Sequence, residues 1–109
     1  MKAIIDGAVV ADAPEADLIS IEGNYYFPPS SISAGVLSDS TTPYNCPWKG
    51  DASYYNVVVG DGRNEDAAWY YPEPYDAAAL IKDHIAFWKG VEVSGTNADT
   101  REILPPARK

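Results

Sequence analysis

The segment STTPYNCPWKGDASYY, between Ser40 and Tyr55, contains the only cysteine of the chain, Cys46. Lys49 follows three residues later, and a cation beside a cysteine favours the thiolate that acts as a nucleophile or redox group. Two prolines in the segment fix φ angles and so stiffen the backbone. Cys46 is therefore a candidate catalytic thiol. The alternative is that it is a small apolar residue packed inside a structural loop.

Lys49 and Gly50 form the second candidate. A lysine can hold an anionic group, and a neighbouring glycine lets the backbone approach a ligand closely. Gly50 could instead only turn the chain, with Lys49 solvated. Glu22 ends the apolar run LISIE, and a glutamate buried near Lys49 could act as a general acid or base with a shifted pKa. The other interpretation of Glu22 is a salt-bridge residue at the surface.

Aromatic residues supply the third feature. Tyrosine and tryptophan line small-molecule pockets because they combine flat apolar walls with polar atoms, although in a small domain they also form the core. We therefore predict a pocket between the CPWKG loop and the AWYYPEP strand. The predicted catalytic residues are Cys46 and Glu22, and the predicted ligand-binding residues are Trp48, Lys49, Gly50, Tyr54, Trp69 and Tyr71.

Short strands and tight turns are expected to position these side chains. KAIIDGAVVADA predicts a hairpin turning at Asp6-Gly7, a dipeptide suited to positive φ angles. Residues 18–22 and 25–27 predict a second hairpin, turning at Gly23-Asn24 and ended by the following prolines. ASYYNVVVG and EDAAWYYPEP predict a third, turning at Asp61-Gly62. In its first strand, residues alternating from Ser53 to Val59 should share one face.

The segment YDAAALIKDHIAFWKGVEV allows two interpretations. Its apolar spacing slightly favours a helix with Asp76 as N-cap, whereas HIAFW and VEV around Lys89-Gly90 also fit a short hairpin. The polar, proline-broken tail, residues 94–109, is expected to be irregular. Residues 1–93 are expected to form a single domain.

Composition narrows the classes of partner. The chain has 109 residues and a formal net charge of −8, which argues against binding to nucleic acids or anionic membranes. One cysteine and one histidine allow neither an internal disulfide nor a zinc site of four such ligands. We see no signal peptide and no apolar stretch long enough to span a membrane, so we expect a cytoplasmic protein without a metal or cofactor.

Four motifs together resemble the bacterial domain of unknown function 427 family: EGNYYFPPSSI, STTPYNCPWKGDASYY, AAWYYPEP and HIAFW. The resemblance implies a mostly β single domain similar to the β-tent fold of methionine sulfoxide reductase B and the ligand-binding domain of cereblon. It also implies that HIAFW is a strand, which limits the helix to about residues 76–82. A nucleotidyltransferase-like label is attached to the family, but the chain has no glycine-rich phosphate loop beside metal-binding carboxylates.

Three functions are compatible with these observations. The favoured one is a small-molecule-binding domain, with catalysis left open, that holds a modest ligand against Trp48 or Trp69. The second is a thiol-dependent enzyme that uses Cys46. The third is a protein-interaction module that docks a partner, or a second copy in a homodimer, through exposed aromatic residues.

Overall fold

The computed structural model describes residues 1–95 and 101–103. These residues contain ten strands: β1 (Lys2–Ile5), β2 (Ala8–Asp12), β3 (Ile19–Ile21), β4 (Asn24–Tyr26), β5 (Leu37–Cys46), β6 (Gly50–Val59), β7 (Gly62–Tyr70), β8 (Ala86–Phe87), β9 (Glu92–Ser94) and β10 (Arg101–Glu102). The strands form three sheets in the orders β2-β1-β9, β10-β3-β4 and β5-β6-β7-β8. The pairings are antiparallel except that between β10 and β3.

The first hairpin turns where the sequence predicts it. Asp6 and Gly7 connect β1 and β2 with φ angles of 49° and 77°, which suit a two-residue turn that follows the strand twist. The other two turns lie one residue earlier than predicted. Glu22 and Gly23 connect β3 and β4, and Gly60 and Asp61 connect β6 and β7. The positive φ angles belong to Glu22 and Gly23 in the first of these turns and to Gly60 in the second, so each set begins one position before the predicted dipeptide.

The predicted alternation along β6 is interrupted by a bulge. The register with β7 shifts between Tyr55 and Val57, so the side chains of β6 do not alternate strictly between two faces. Asn56 lies at this shift and is only 3% exposed. Its amide nitrogen donates to Ser38 Oγ and to the carbonyl oxygen of Asp39, and its carbonyl oxygen accepts from the backbone N–H of Asp66. The bulge is therefore filled by a buried amide with its own partners.

Within the part of the chain that the structure describes, helical structure is limited to short 3₁₀ segments at Glu15–Asp17, Pro29–Ser31 and Asp76–Ile81. The last of these confirms a short helical segment near residues 76–82. Asp76 is its first residue and not its N-cap, because Tyr75 holds the cap position without a side-chain hydrogen bond.

The HIAFW segment contributes strand β8, as the family resemblance implies. The alternative hairpin with VEV does not form, since β8 pairs with β7 whereas β9 pairs with β1. The tail was expected to be irregular, but Arg101–Glu102 pair in parallel with Ile19 and Ser20. Residues 96–100 and 104–109 of that tail lie outside the described residues.

The core consists of two apolar clusters. The first packs the β2-β1-β9 sheet against one end of the four-stranded sheet around Phe27, which is fully buried. Burying a side chain of this size stabilises the fold by roughly 1.5–3 kcal/mol. The second cluster joins β3 and β4 to the opposite end of the same sheet around Tyr26 and Tyr71. The described residues thus form a mostly β domain, as predicted, and the second cluster supports the wall of a cavity.

Candidate functional site

A cavity of about 300 Å³ opens above the second apolar cluster. Its lining side chains come from β4, β5, β6 and β7 and from the segments that follow β5, β7 and β8. They are Asn24, Tyr44, Lys49, Tyr54, Trp69, Tyr71 and Trp88. All but Asn24 and Lys49 are aromatic, and Lys49 is the only one with a formal charge. The cavity is thus an aromatic-walled hollow with a single cation.

The CPWKG loop places Lys49 in this wall. Cys46 and Gly50 pair with each other at the ends of β5 and β6, and residues 47–49 form the turn between them. Gly50 adopts a φ of +115°, and an added Cβ would lie 3.2 Å from the carbonyl oxygen of Glu73. The carbonyl oxygen of Lys49 accepts a hydrogen bond from the backbone N–H of Tyr75 at 2.9 Å. Glycine at position 50 thus permits the backbone of residues 73–75 to support the turn that carries Lys49.

Lys49 is only 7% exposed. Its Nζ lies 3.3 Å from Glu22 Oε1, and it also stands 5.5 Å from the ring centroid of Trp48 and 5.6 Å from that of Tyr71. These distances bring both rings within the range of a cation–π interaction. Burial alone disfavours a charged amine, so the ammonium depends on these neighbours.

The pKa of Lys49 reflects opposing effects. Burial lowers it, but Tyr26, Cys46 and the hydrogen bond with Glu22 outweigh burial and leave the pKa above the ordinary value for lysine. Lys49 therefore carries its positive charge at neutral pH.

Glu22 fixes the outer side of Lys49. It lies in the β3–β4 turn with a φ of 53°, and its side chain is 46% exposed. Glu22 Oε1 accepts from Trp48 Nε1 at 3.2 Å as well as from Lys49 Nζ at 3.3 Å. One carboxylate oxygen of a half-exposed side chain therefore aligns two consecutive residues of the CPWKG loop.

Aromatic contacts hold the cavity wall in place. Trp69 packs edge-to-face against Tyr26 at 6.2 Å and against Trp88 at 5.8 Å. Trp69 Nε1 donates to the hydroxyl of Tyr26 at 3.1 Å, and Trp88 Nε1 donates to the carbonyl oxygen of Asp66. Both indole N–H groups have partners within the protein, so the rings present mainly apolar surface to the cavity.

Tyr26, Tyr54 and Tyr71 remain neutral phenols. Burial raises the pKa of Tyr71, and the nearby oxygen of Tyr26 and sulfur of Cys46 raise it further. Burial also raises the pKa of Tyr26, against the effect of the Trp69 hydrogen bond. For Tyr54, burial is again the main cause of a raised pKa. Neutral hydroxyls can donate as well as accept hydrogen bonds, whereas phenolates could only accept.

The structure brings most of the predicted site residues to one place. Lys49, Tyr54, Trp69 and Tyr71 line the cavity. Trp48 and Glu22 do not line it but contact each other, and both contact Lys49. Gly50 acts through the turn. Asn24, Tyr44 and Trp88 line the cavity but were not among the predicted site residues, although each lies inside one of the motifs that carry the family resemblance.

Cys46 lies beneath this site and does not line the cavity. It is 6% exposed and packs within the second apolar cluster, with Tyr26 and Tyr71. Its sulfur is a free thiol. This position favours the interpretation of Cys46 as a small packed residue.

A second, polar hollow of about 270 Å³ lies on the same sheet beside the β6 bulge. Asp66 lines this hollow and has a φ of 55°. Thr42 Oγ1 donates to Asp66 Oδ2 at 2.8 Å, and Ser40 Oγ donates to Asp66 Oδ1. These hydrogen bonds, that from Ser40 foremost, hold the pKa of Asp66 below its usual value. Thr42 and Ser40 therefore help to join β5 to β7.

The described residues contain neither a metal-ligand cluster nor a membrane-spanning helix. Among residues 1–95 and 101–103, no three histidine, cysteine or carboxylate side chains meet in an arrangement that could hold a metal ion. In the same part of the chain, no helix has the length and apolar character to cross a membrane.

Comparison with known proteins identifies the family. No curated protein matches the chain. A family model described as a domain of unknown function (DUF427) matches residues 1–99, which include all the residues that line the cavity. The chain therefore belongs to the DUF427 family.

Proposed function

We propose that this domain binds a small organic molecule in the aromatic-walled cavity, with Lys49 as the polar anchor. The proposal depends on one observation: a buried ammonium is held in the wall of a hollow otherwise made of aromatic and amide side chains. A lysine that only stabilised the fold would not need to be placed beside open space. Proteins rarely bury a lysine without a specific reason, because its desolvation is costly.

The dimensions of the cavity support a ligand of modest size. Ligand pockets usually range from about 300 to 1,000 Å³, and this one measures about 300 Å³. Its walls are fixed by intramolecular hydrogen bonds and by edge-to-face ring contacts. A wall that is already ordered before binding lowers the entropic cost of holding a ligand.

Two exposed aromatic residues help to distinguish ligand binding from the alternative of a protein-interaction module. Tyr44 and Trp88 are 51% and 44% exposed, and both belong to the rim of the cavity. Their exposure is what a ligand entrance requires, so it favours a small molecule over a flat docking surface. The thiol-dependent alternative finds less support, because Cys46 is buried in the apolar cluster below the cavity.

Binding can be tested with the chain's own tryptophans. All three tryptophans either line the cavity or contact Lys49, so a bound ligand should change their fluorescence. A thermal-shift screen of small metabolites would first select compounds that raise the melting temperature. A ligand present at about 100 times its Kd should stabilise the native state by about 2.7 kcal/mol.

A pair of matched variants would locate the binding site. Tyr44 and Tyr75 are equally exposed, at 51% each, but only Tyr44 lines the cavity. We expect Tyr44→Ala to weaken the binding of a selected compound by about fivefold to tenfold, which corresponds to roughly 1–1.4 kcal/mol. Tyr75→Ala should leave the Kd unchanged. Equal effects of the two substitutions, or a screen with no stabilising compound, would contradict the proposed function.

A further inference from the structure

From the charge and shape of the cavity we infer a ligand class: a flat aromatic monocarboxylate, with its carboxylate on Lys49 and its ring against the indoles of Trp69 and Trp88. The inference rests on the proposed function, since it specifies what the cavity binds. It is carried by one buried cation, whose contacts with Glu22 and Tyr26 leave a third N–H donor for a ligand, in the lining of a hollow whose other lining side chains are aromatic apart from Asn24.

The charge argument begins with the hydrogen bonds of Lys49. An ammonium has three donor hydrogens, and charge-assisted N–H···O bonds are usually about 2.7–2.9 Å long. The bond to Glu22 is 3.3 Å and shares its acceptor oxygen with Trp48. Glu22 is also half-exposed, which weakens its attraction for the buried charge through solvent screening. The ammonium can therefore donate a hydrogen bond to a ligand carboxylate while it keeps the hydrogen bond to Glu22.

The sign and size of the ligand charge follow from the same neighbours. Among the described lining residues, Lys49 carries the only formal charge, and it would repel a cationic ligand. A dianion would be disfavoured, because it would face a single ammonium with Glu22 close by. A singly charged carboxylate balances Lys49 best.

Neutral tyrosine hydroxyls reinforce this preference for an oxygen anion. Burial raises the pKa of Tyr71, so its hydroxyl keeps its proton at neutral pH. This hydroxyl can therefore donate a hydrogen bond to a carboxylate oxygen. The amide of Asn24 supplies a further donor on the lining.

The aromatic walls of the cavity indicate that the remainder of the ligand is a flat ring. Trp69 and Trp88 meet edge-to-face with an interplanar angle of 82°, and Tyr54 lies directly opposite Trp69 in the β6–β7 register. Flat rings contact such walls by stacking and by edge-to-face packing. An apolar cavity of about 150 Å³ accommodates benzene. A volume of about 300 Å³ therefore has room for one or two fused rings with a carboxylate.

A series of three naphthalene compounds tests the inference on the native protein. 2-Naphthoate, 2-naphthamide and 2-naphthylmethylamine share the same rings but are anionic, neutral and cationic. Binding would be measured by isothermal titration calorimetry and by ligand-observed NMR. We expect 2-naphthoate to bind at least about tenfold more tightly than 2-naphthamide, because hydrogen bonds between charged partners are stronger than neutral ones. The amine should bind most weakly.

Substitution of Lys49 tests whether this residue causes the preference for the carboxylate over the amide. Lys49→Met keeps a long apolar side chain but removes the charge, so the Kd of 2-naphthoate should rise to that of 2-naphthamide, whose own Kd should hardly change. Lys82→Met is the matched control, since Lys82 is exposed and does not line the cavity. The series on the unsubstituted protein provides an independent answer if Lys49→Met fails to fold.

The outcomes separate this inference from the proposed function. If the acid and the amide bind equally in the cavity, or the amine binds most tightly, the ligand class is wrong while the binding function stands. If the Lys82 and Lys49 substitutions lower the affinity for 2-naphthoate equally, Lys49 is not the anchor. If none of the three compounds binds, and the metabolite screen also finds nothing, both proposals fail.

Discussion

Two reactive side chains of the CPWKG loop have different surroundings. Lys49 is placed in the cavity wall, whereas Cys46 is packed underneath with Tyr26 and Tyr71. Both are nearly inaccessible, at 7% and 6% exposed. The lysine, however, borders open space and the cysteine borders apolar side chains. Similar burial therefore permits ligand binding at one residue and disfavours reaction at the other.

Alkylation measures this difference at Cys46. We expect iodoacetamide to modify the native thiol at neutral pH at least about tenfold more slowly than the same thiol in denaturant, because a reagent reaches a buried group only through local opening. The reaction can be followed by intact-protein mass spectrometry. A native rate above that of the unfolded chain would instead favour an activated thiol and revive Cys46 as a nucleophile.

At the level of strands, the β6 bulge and the Asp66 carboxylate organise the long four-stranded sheet. Asn56 fills the bulge from within, and Asp66 receives hydrogen bonds from Ser40 and Thr42 on β5. Strands β5 and β7 are not neighbours in the sheet, since β6 lies between them. The carboxylate therefore links the two strands that flank β6 and stabilises the irregular register at its centre.

Stability should depend on pH through this carboxylate. Hydrogen bonds from Ser40 and Thr42 lower the pKa of Asp66 in the folded state. Its contribution is thus fully present above the unfolded pKa of about 3.9 and is lost as the pH falls through the lower folded value. Urea unfolding of wild type and Asp66→Asn should differ at neutral pH and converge at low pH.

Asp12→Asn, on the exposed end of β2, provides the control. This substitution should not reproduce the pH-dependent difference. A difference for Asp66→Asn that stays constant from neutral to low pH would mean that the ionised carboxylate does not stabilise the sheet.

The sequence predicted the regular elements better than their irregularities. Asp6-Gly7 is a local signal, and the turn forms where the dipeptide lies. The bulge at Asn56 depends on the backbone N–H of Asp66, ten residues further along the chain. The alternation of residues within β6 alone cannot predict this contact with another strand. For the same reason Lys49 and Trp69 were found from their own motifs, whereas Asn24 and Trp88 were missed as lining residues. They reach the cavity only because β4, β7 and β8 meet in the folded chain.

In the molecule as a whole, the two smaller sheets depend on the four-stranded sheet. Phe27 and Ile85 exchange two backbone hydrogen bonds of 2.8 Å, which tie the segment after β4 to the start of β8. Tyr26 of β4 accepts a hydrogen bond from Trp69 of β7 at 3.1 Å. The cavity lies at this junction, so its shape depends on how the sheets pack together.

Tyr26→Phe tests that dependence. The substitution removes the hydroxyl that accepts the Trp69 hydrogen bond and leaves a partly buried indole N–H without this partner. We expect a loss of roughly 1–3 kcal/mol in the free energy of unfolding, measured with urea, and a changed near-ultraviolet circular dichroism spectrum. Tyr75→Phe, at a half-exposed tyrosine, should change stability by less than about 0.5 kcal/mol. Equal, small effects of both would show that the hydroxyl does not join the sheets.

The support behind Lys49 has a consequence for how sequences of this fold can diverge. Residues 73–75 meet Gly50 through a carbonyl oxygen, an α-carbon and an amide nitrogen, all of them backbone atoms. Amino-acid identity in that stretch is therefore largely free to drift, provided that the chain keeps the same path. The glycine has no comparable freedom, so its loss would displace the neighbouring amine and alter the hollow even in a protein that still folds.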